Sequence, residues 1–347
     1  MRKGSSQSRR EGTTVPMRDL SSRKVLWGLV LGACLIAGIV PVDGSYAGDL
    51  PLQIVFFRHL HGGYLFSEGD GGYSGTLMPG TGYTASFSRT LPDGSEVMFE
   101  RLYVYWAWSR HDQVASYPVM EIRTGGPDGP LLERSARYAD SKGFASKNDF
   151  FTGMDSYLLP ETGADTLTID INNSASDGST FIIQGTAILS VYNEPNALES
   201  AIWVAEGGDL LYRSYGIPPE LATTRVEFPG RIDIPRVDSA CLFLVAPSAG
   251  FSRDETTGMN QLLLNTPGKG ALPPLIEPFL SVLFPRYKGK SWTDVFSADE
   301  NRQVGTAFRE IRPFLRYSDN FIEVRDNGDY FQLCNAILQV TYRGEAP

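Results

Sequence analysis

The chain has 347 residues, of which 42% are hydrophobic, 20% charged and 12% aromatic, with 36 Gly and 22 Pro. That length holds two domains with separate cores, and the Gly, Pro and ring content favours short strands joined by tight turns over long helices. A formal net charge of −9 argues against a nucleic-acid or anionic-membrane partner, for which a basic patch is the electrostatic requirement.

The N-terminus reads as an export signal. Arg18, Arg23 and Lys24 precede an apolar core from Val25 to Val40, and Ser45-Tyr46-Ala47 supplies a small-x-small cleavage pattern. Residues 1–47 are therefore expected to leave, with Met17 as an alternative start. Two other readings stay open. Leu31-Gly32-Ala33-Cys34 resembles a lipoprotein box, and an uncleaved anchor would need an apolar core of roughly 20 residues. Cleavage removes 7 Lys/Arg and 3 Asp/Glu, leaving 24 basic against 37 acidic residues, a net of −13. No later apolar run is long enough to span a bilayer, so the expected address is secreted, periplasmic or cell-surface.

Module one is expected over 48–196. Ile54–Leu60 reads as its opening strand, followed by the Gly62-Gly63 and Gly69-Asp70-Gly71-Gly72 punctuation. Tyr83–Phe87 alternates, and Glu100–Trp108 is the most β-prone segment of the chain. Val119–Arg123 is another strand, and Thr166–Ile171 and Phe181–Tyr192 flank the loop 172–179 as a hairpin. Module two, 197–347, repeats the order. Ser239–Val245 answers Arg101–Ala107, Gln261–Asn265 answers Met120–Thr124, and Phe321–Val324 with Tyr330–Tyr342 repeats the final hairpin. The clearest echo is Thr186-Ala187-Ile188-Leu189-Ser190-Val191-Tyr192 against Asn335-Ala336-Ile337-Leu338-Gln339-Val340-Thr341. An insertion over 267–306 carries Pro273-Pro274 and the apolar run Leu275–Phe284, either a short partner-binding helix or a plug across a sheet edge.

Regular strands, Gly/Pro/Asx turns and no sustained helical period imply an all-β fold: two tandem antiparallel β-sandwiches, jelly-roll-like, with a short helical insertion in the second. The short linker Asn193-Glu194-Pro195-Asn196 predicts two separate bodies held in a fixed mutual orientation.

Several motifs in order carry a family resemblance: Trp106-Ala107-Trp108-Ser109, Asp140-Ser141-Lys142-Gly143-Phe144, Glu206-Gly207-Gly208-Asp209, Thr223-Thr224, and Arg325-Asp326-Asn327-Gly328-Asp329-Tyr330 with Asn335-Ala336. They resemble an uncharacterised extracellular domain of unknown function, common in surface proteins of methanogenic archaea and present in some bacteria. The resemblance covers nearly all of the mature chain and implies a surface address. It implies no activity.

Chemistry is sparse. His59 and His61 share a strand face at a spacing that suits two metal ligands, or are surface histidines. No nucleophile elbow is present, and neither Cys241 nor Cys334 lies near a His in sequence. The two thiols either bridge or stay buried and unlinked. Glu121, Asp140, Asp155 and Glu161 could supply a glycosidase carboxylate pair across a cleft between modules, as any acidic protein could. Asp170, Asn172 and Asp177 in one hairpin, and Asp326, Asn327 and Asp329 in the other, are candidate Ca²⁺ ligands; turn chemistry is the other explanation. On the Glu100–Trp108 strand, Leu102, Val104, Trp106 and Trp108 should face inwards. Tyr103 and Tyr105 then point outwards, to stack on a ligand or pack against module two. The expected function is a non-catalytic binding or adhesion module for a surface glycan or protein, with a carbohydrate-active enzyme as the alternative.

Overall fold

The computed structural model describes residues 51–141, 150–160, 165–213, 222–250, 257–266, 288–298 and 301–344. The signal segment, Glu161 and residues 267–287 of the insertion lie outside them.

The described chain is all-β, as its composition predicts. In chain order the first half holds β1 (Gln53–Glu68), β2 (Thr76–Leu77), β3 (Gly82–Ser88), β4 (Glu96–His111), β5 (Val114–Ala115), β6 (Met120–Thr124), β7 (Arg134–Asp140), β8 (Phe151–Tyr157), β9 (Thr166–Asn173) and β10 (Thr180–Asn193). The second holds β11 (Glu199–Leu211), β12 (Thr223–Phe228), β13 (Val237–Pro247), β14 (Asn260–Leu264), β15 (Lys290–Thr293), β16 (Ser297–Ala298), β17 (Val304–Glu310), β18 (Asn320–Asp326) and β19 (Phe331–Tyr342). The named strands pair antiparallel. The described part of the insertion forms β15 and β16 and the start of β17, and the run Leu275–Phe284, where the helix was expected, lies outside the described residues. Among the described residues no helix is long and apolar enough to cross a membrane.

The pairing is where expectation and structure part. One large sheet runs β16-β17-β13-β19-β11-β1-β10-β4-β8-β7, straight across the linker. The halves are therefore not two bodies joined by a tether. The reason is β1, which is bipartite. Its residues 53–61 pair with β11, whereas 62–68 pair with β10. The amide of Glu194 donates to the carbonyl of His61, and Gly62 donates to Leu198, so the linker crosses β1 where its allegiance changes. Gly62 sits there at φ 143°, and a Cβ on it would stand 2.2 Å from the Tyr192 carbonyl oxygen. Only glycine fits such a crossing.

The order on one side of β1 is answered on the other. β10-β4-β8-β7 corresponds to β19-β13-β17-β16, and the small sheet β3-β9-β6 corresponds to β12-β18-β14, which β15 extends. Each small sheet packs on its own arm of the large sheet. In the first half Phe87, Ile122, Ile169 and Ile171 meet Leu102, Val104, Ile183 and Ile188. In the second, Val226, Leu262, Ile322 and Val324 meet Trp203, Leu242, Leu244 and Leu338. A third apolar layer lies between the two arms of the large sheet, where Tyr103, Tyr105, Leu189 and Val191 face Ile202, Val204, Val245 and Ile337. The central strands β10 and β19 are buried on both faces, which explains why they read as near-continuous apolar runs.

Candidate functional site

Tyr103 and Tyr105 point away from the first core, as strand alternation predicts, but they are 0% exposed. Tyr103 Oη donates to Glu206 Oε1 at 2.9 Å, and Tyr105 Oη donates to Asn335 Oδ1 at 2.8 Å. They pack against the second half, so the reading of them as ligand contacts is withdrawn. Trp108 reverses its expected direction: at φ 54° it turns outwards, 41% exposed, and stacks on Phe150 with ring centroids 4.3 Å apart.

Three of the motifs that carried the family resemblance meet in the same seam, through Asp140, Glu206 with Gly208, and Asn335. Glu206 accepts from Tyr103 and, at 3.1 Å, from Tyr138 Oη. Asp140 Oδ2 accepts the Leu210 amide at 3.0 Å. A Cβ on Gly208 would lie 2.9 Å from the Tyr138 carbonyl carbon and oxygen, so glycine permits the approach of the two backbones. Burial pushes the Glu206 carboxyl above its ordinary value of 4.5, opposed by the Tyr103 hydroxyl, the Arg101 charge and the Tyr138 hydroxyl. The sign follows. The folded state holds this proton more tightly, so the contribution is full below pH 4.5 and is lost as pH rises through the raised value. Glu206→Gln should flatten the fall of Tm with pH above 4.5 relative to the native chain; parallel profiles would refute the assignment.

The space between the halves is thus a filled polar-apolar layer. The acids expected as a catalytic pair are not brought together across it: Asp140 and Asp155 are buried, as is Glu206, and Glu121 lies on β6 beside Arg123, with 3.7 Å between their charged atoms. Cys241 and Cys334 are free thiols. His59 lies 3.4 Å from Glu199, His61 Nδ1 lies 3.1 Å from the Ala197 carbonyl oxygen, and His111 lies 3.5 Å from Asp112.

The six Ca²⁺ candidates do not converge. Asp170 accepts from Thr84 Oγ1 at 2.6 Å, Asn172 faces Gly82, and Asp177 accepts from the Ser179 amide and hydroxyl. Asp326, 2% exposed, receives four backbone amides, from Arg213, Gly328, Asp329 and Tyr330, at 2.7–3.1 Å. Asp329 accepts from the Gly250 amide and Asn260 Nδ2. Asn327 accepts from Arg213 Nη1 at 3.0 Å. Among the described residues no group of three or more His, Cys, Asp or Glu could hold a metal ion. These are turn-forming side chains, and the hairpin ends of β9 and β18 correspond: Asn173 Oδ1 accepts from Ala175, and Asp326 Oδ1 from Gly328, each two residues on.

The turn after β18 nonetheless borders a groove. A cavity of about 450 Å³ opens over the outer face of the second small sheet, lined by Arg213, Thr223, Gln261, Glu323, Arg325, Asp326 and Asn327. Register places Thr223, Arg325, Gln261 and Thr293 in one row across β12, β18, β14 and β15, with Arg225, Glu323, Leu263 and Ser291 in the next. Sequence reading missed this site. The signal was there in Arg225/Glu227 and Glu323/Arg325, charged residues at strand period on one face, but which strands would stand side by side was not legible. A larger cleft of about 760 Å³ near the start of β4 is lined by Val97, Met98 and Phe99. Its Glu100 is 3.2 Å from Arg89 and accepts from Ser190 Oγ, and Arg101 lies over the Phe99 ring.

Fold and groove together define an all-β scaffold with a polar groove on an outer sheet. The chain belongs to the family described as protein of unknown function (DUF3344), which matches residues 45–341, both halves together. No curated protein matches it. Solved structures with some likeness include the major capsid protein P2 from Bacteriophage PM2, at 10% identity over 81% of this chain and 98% of that one, TM-score 0.21. Another is the N-terminal CBM22-1-CBM22-2 tandem domain from Paenibacillus barcinonensis Xyn10C, at 8% identity over 87% and 100%, TM-score 0.17. At those scores neither likeness bears on what this chain binds.

Proposed function

We propose that the protein is a secreted or surface-associated, non-catalytic binding module, made of two copies of one jelly-roll-like unit and binding a glycan through the groove on the second small sheet. The matching strand order of the halves supports a duplication. The observation that carries the binding role is the groove itself. Its lining guanidinium, amide, carboxylate and hydroxyl groups stand on a sheet whose inner face is core, so they offer preorganised hydrogen bonds at little cost to folding. No side chain in it forms a nucleophile–base pair, so binding without turnover is the chemistry these groups favour.

Glycan-array binding of the native chain tests the reading, with Gln261→Trp as the groove-filling variant. Gln261 is half-buried on the outer row, so stability should stay within about 0.5 kcal/mol while array signal disappears. An array without any hit, or one unchanged by Gln261→Trp in a folded protein, overturns it.

A further inference from the structure

We propose that the ligand of this groove is an anionic saccharide whose acid group is held by Arg213 and Arg325; the inference rests on the groove being the binding site. The chain carries a net charge of −9 and repels an anionic glycan over most of its surface, so affinity for an acid group has to come from a local cluster of cations. The groove has one. Arg213 and Arg325 line it with Glu323 and Asp326, and Arg225 stands beside them, opposite Glu323 and paired with Glu227 and Glu323.

The pairing within the cluster is uneven. Arg325 Nη2 donates to Glu323 Oε2 at 2.6 Å, and Arg225 Nη1 reaches the other oxygen of the same carboxylate at 3.5 Å. Arg225 Nε also donates to Glu227, and its guanidinium lies 3.6 Å over the Phe321 ring, which fixes it flat on the sheet. Arg213 Nη1 donates to Asn327, a neutral acceptor, and Arg213 makes no ion pair among the described residues. The nearest acid, Asp326, turns its oxygens to four backbone amides. Two guanidiniums at the groove mouth therefore keep most of their five N–H donors unspent, in the fork geometry that matches an acid group bidentately.

The rest of the groove fits the sugar rather than the charge. Gln261 uses Nε2 on Ser291 Oγ at 2.9 Å, which leaves its carbonyl oxygen as an acceptor for a hydroxyl. Glu323 and Asn327 add further acceptors and Thr293 a hydroxyl. Four strands at the usual spacing span roughly 14 Å, the length of a short oligosaccharide lying across them. The one apolar member of the two rows, Leu263, is largely buried, so polar groups dominate what the rows present.

Calorimetry on the full chain decides it with three matched probes: oligogalacturonate, its methyl ester, and a sulfated oligogalactan. The acid form should bind at least about tenfold more tightly than the ester, with Arg325→Ala or Arg213→Ala removing that preference and Arg325→Lys restoring only part of it. Tight binding of the sulfated probe alone keeps anionic recognition and assigns it to a sulfate. Equal binding of acid and ester, or native affinity in both alanine variants, overturns the proposal and leaves the groove as a neutral-glycan site. If none of the three binds and the array is empty, the groove reading falls with it.

Discussion

A chain shortened to begin at Gly62 will not fold as the native protein does, whereas one beginning at Pro51 will. The eleven residues removed, Pro51 to His61, look like the first half of the first strand, yet their partner is β11 in the second half of the molecule. Leu52, 5% exposed, enters the second core beside Gly207, and Ile54 packs on the same cluster. Leu60 enters the layer between the two arms of the large sheet, Phe56 lies 5.1 Å from Phe99, and Phe57 stacks on Trp203 at 4.6 Å. Two buried leucines, the part-buried Ile54 and Phe56 and the stacked but more exposed Phe57 contribute about 5–8 kcal/mol at the usual values for burying such groups. That rivals the whole stability of an ordinary domain, about 5–15 kcal/mol. The loss also strips β11 from Glu199 to Glu206 of its partner, and a long apolar edge is a template for aggregation. Size-exclusion chromatography and thermal unfolding of the two shortened chains provide the check. A soluble monomer starting at Gly62, with Tm within a few degrees of the longer chain, would sink the bipartite reading of β1.

That strand also marks the limit of what could be read from sequence. Gln53 to His61 carries the composition of a strand, and nothing in it names the partner. Gly62-Gly63 reads as a turn, since glycine pairs usually punctuate; here the strand runs on through Gly62, and the glycine is needed because the linker crosses so closely. Within each element the reading held better. The period-2 alternation placed Tyr103 and Tyr105 on the face opposite Leu102 and Val104, which is where they are. What alternation cannot say is that the far side of one core is the near side of another. The paired runs ending in Tyr192 and Thr341 were legible as equivalents because burial on both faces makes both runs apolar. Glu206-Gly207-Gly208-Asp209 was visible as a motif, but its use depends on Tyr138, 68 residues from Glu206. The groove was least legible, for a related reason: its residues are ordinary on their own strands and become a site only when β12, β18 and β14 lie side by side.

Replacing Asp155 with Ala should cost about 3–5 kcal/mol, the range found when one partner of a buried ion pair is removed. The sequence offers this residue as one of several acids available for catalysis; its surroundings give it a different task. Its side chain is 0% exposed at the middle of β8 and collects donors from three neighbours. Arg137 Nε and Nη2 grip its two oxygens at 2.8 and 2.6 Å, Trp106 Nε1 donates at 3.0 Å, and Tyr157 Oη donates at 3.2 Å. Arg137 is itself 12% exposed and lies near the Trp106 and Tyr117 rings. Truncation therefore leaves a guanidinium, an indole N–H and a phenol without their acceptor, where water reaches poorly, and each such orphan costs about 1–3 kcal/mol. Asp155→Asn keeps one good acceptor but turns an amide towards Arg137, so its loss should be intermediate. The decisive comparison is the double variant Asp155→Leu with Arg137→Leu. Once both charges are gone, the apolar replacements no longer strand a buried ion, so the double variant should be more stable than Asp155→Leu alone. Equilibrium denaturation of the four proteins gives the coupling energy directly. A near-zero coupling, or Asp155→Ala within 1 kcal/mol of the native chain, would mean that water already screens the pair, and the buried network across β4, β7 and β8 would not be what holds that edge of the large sheet.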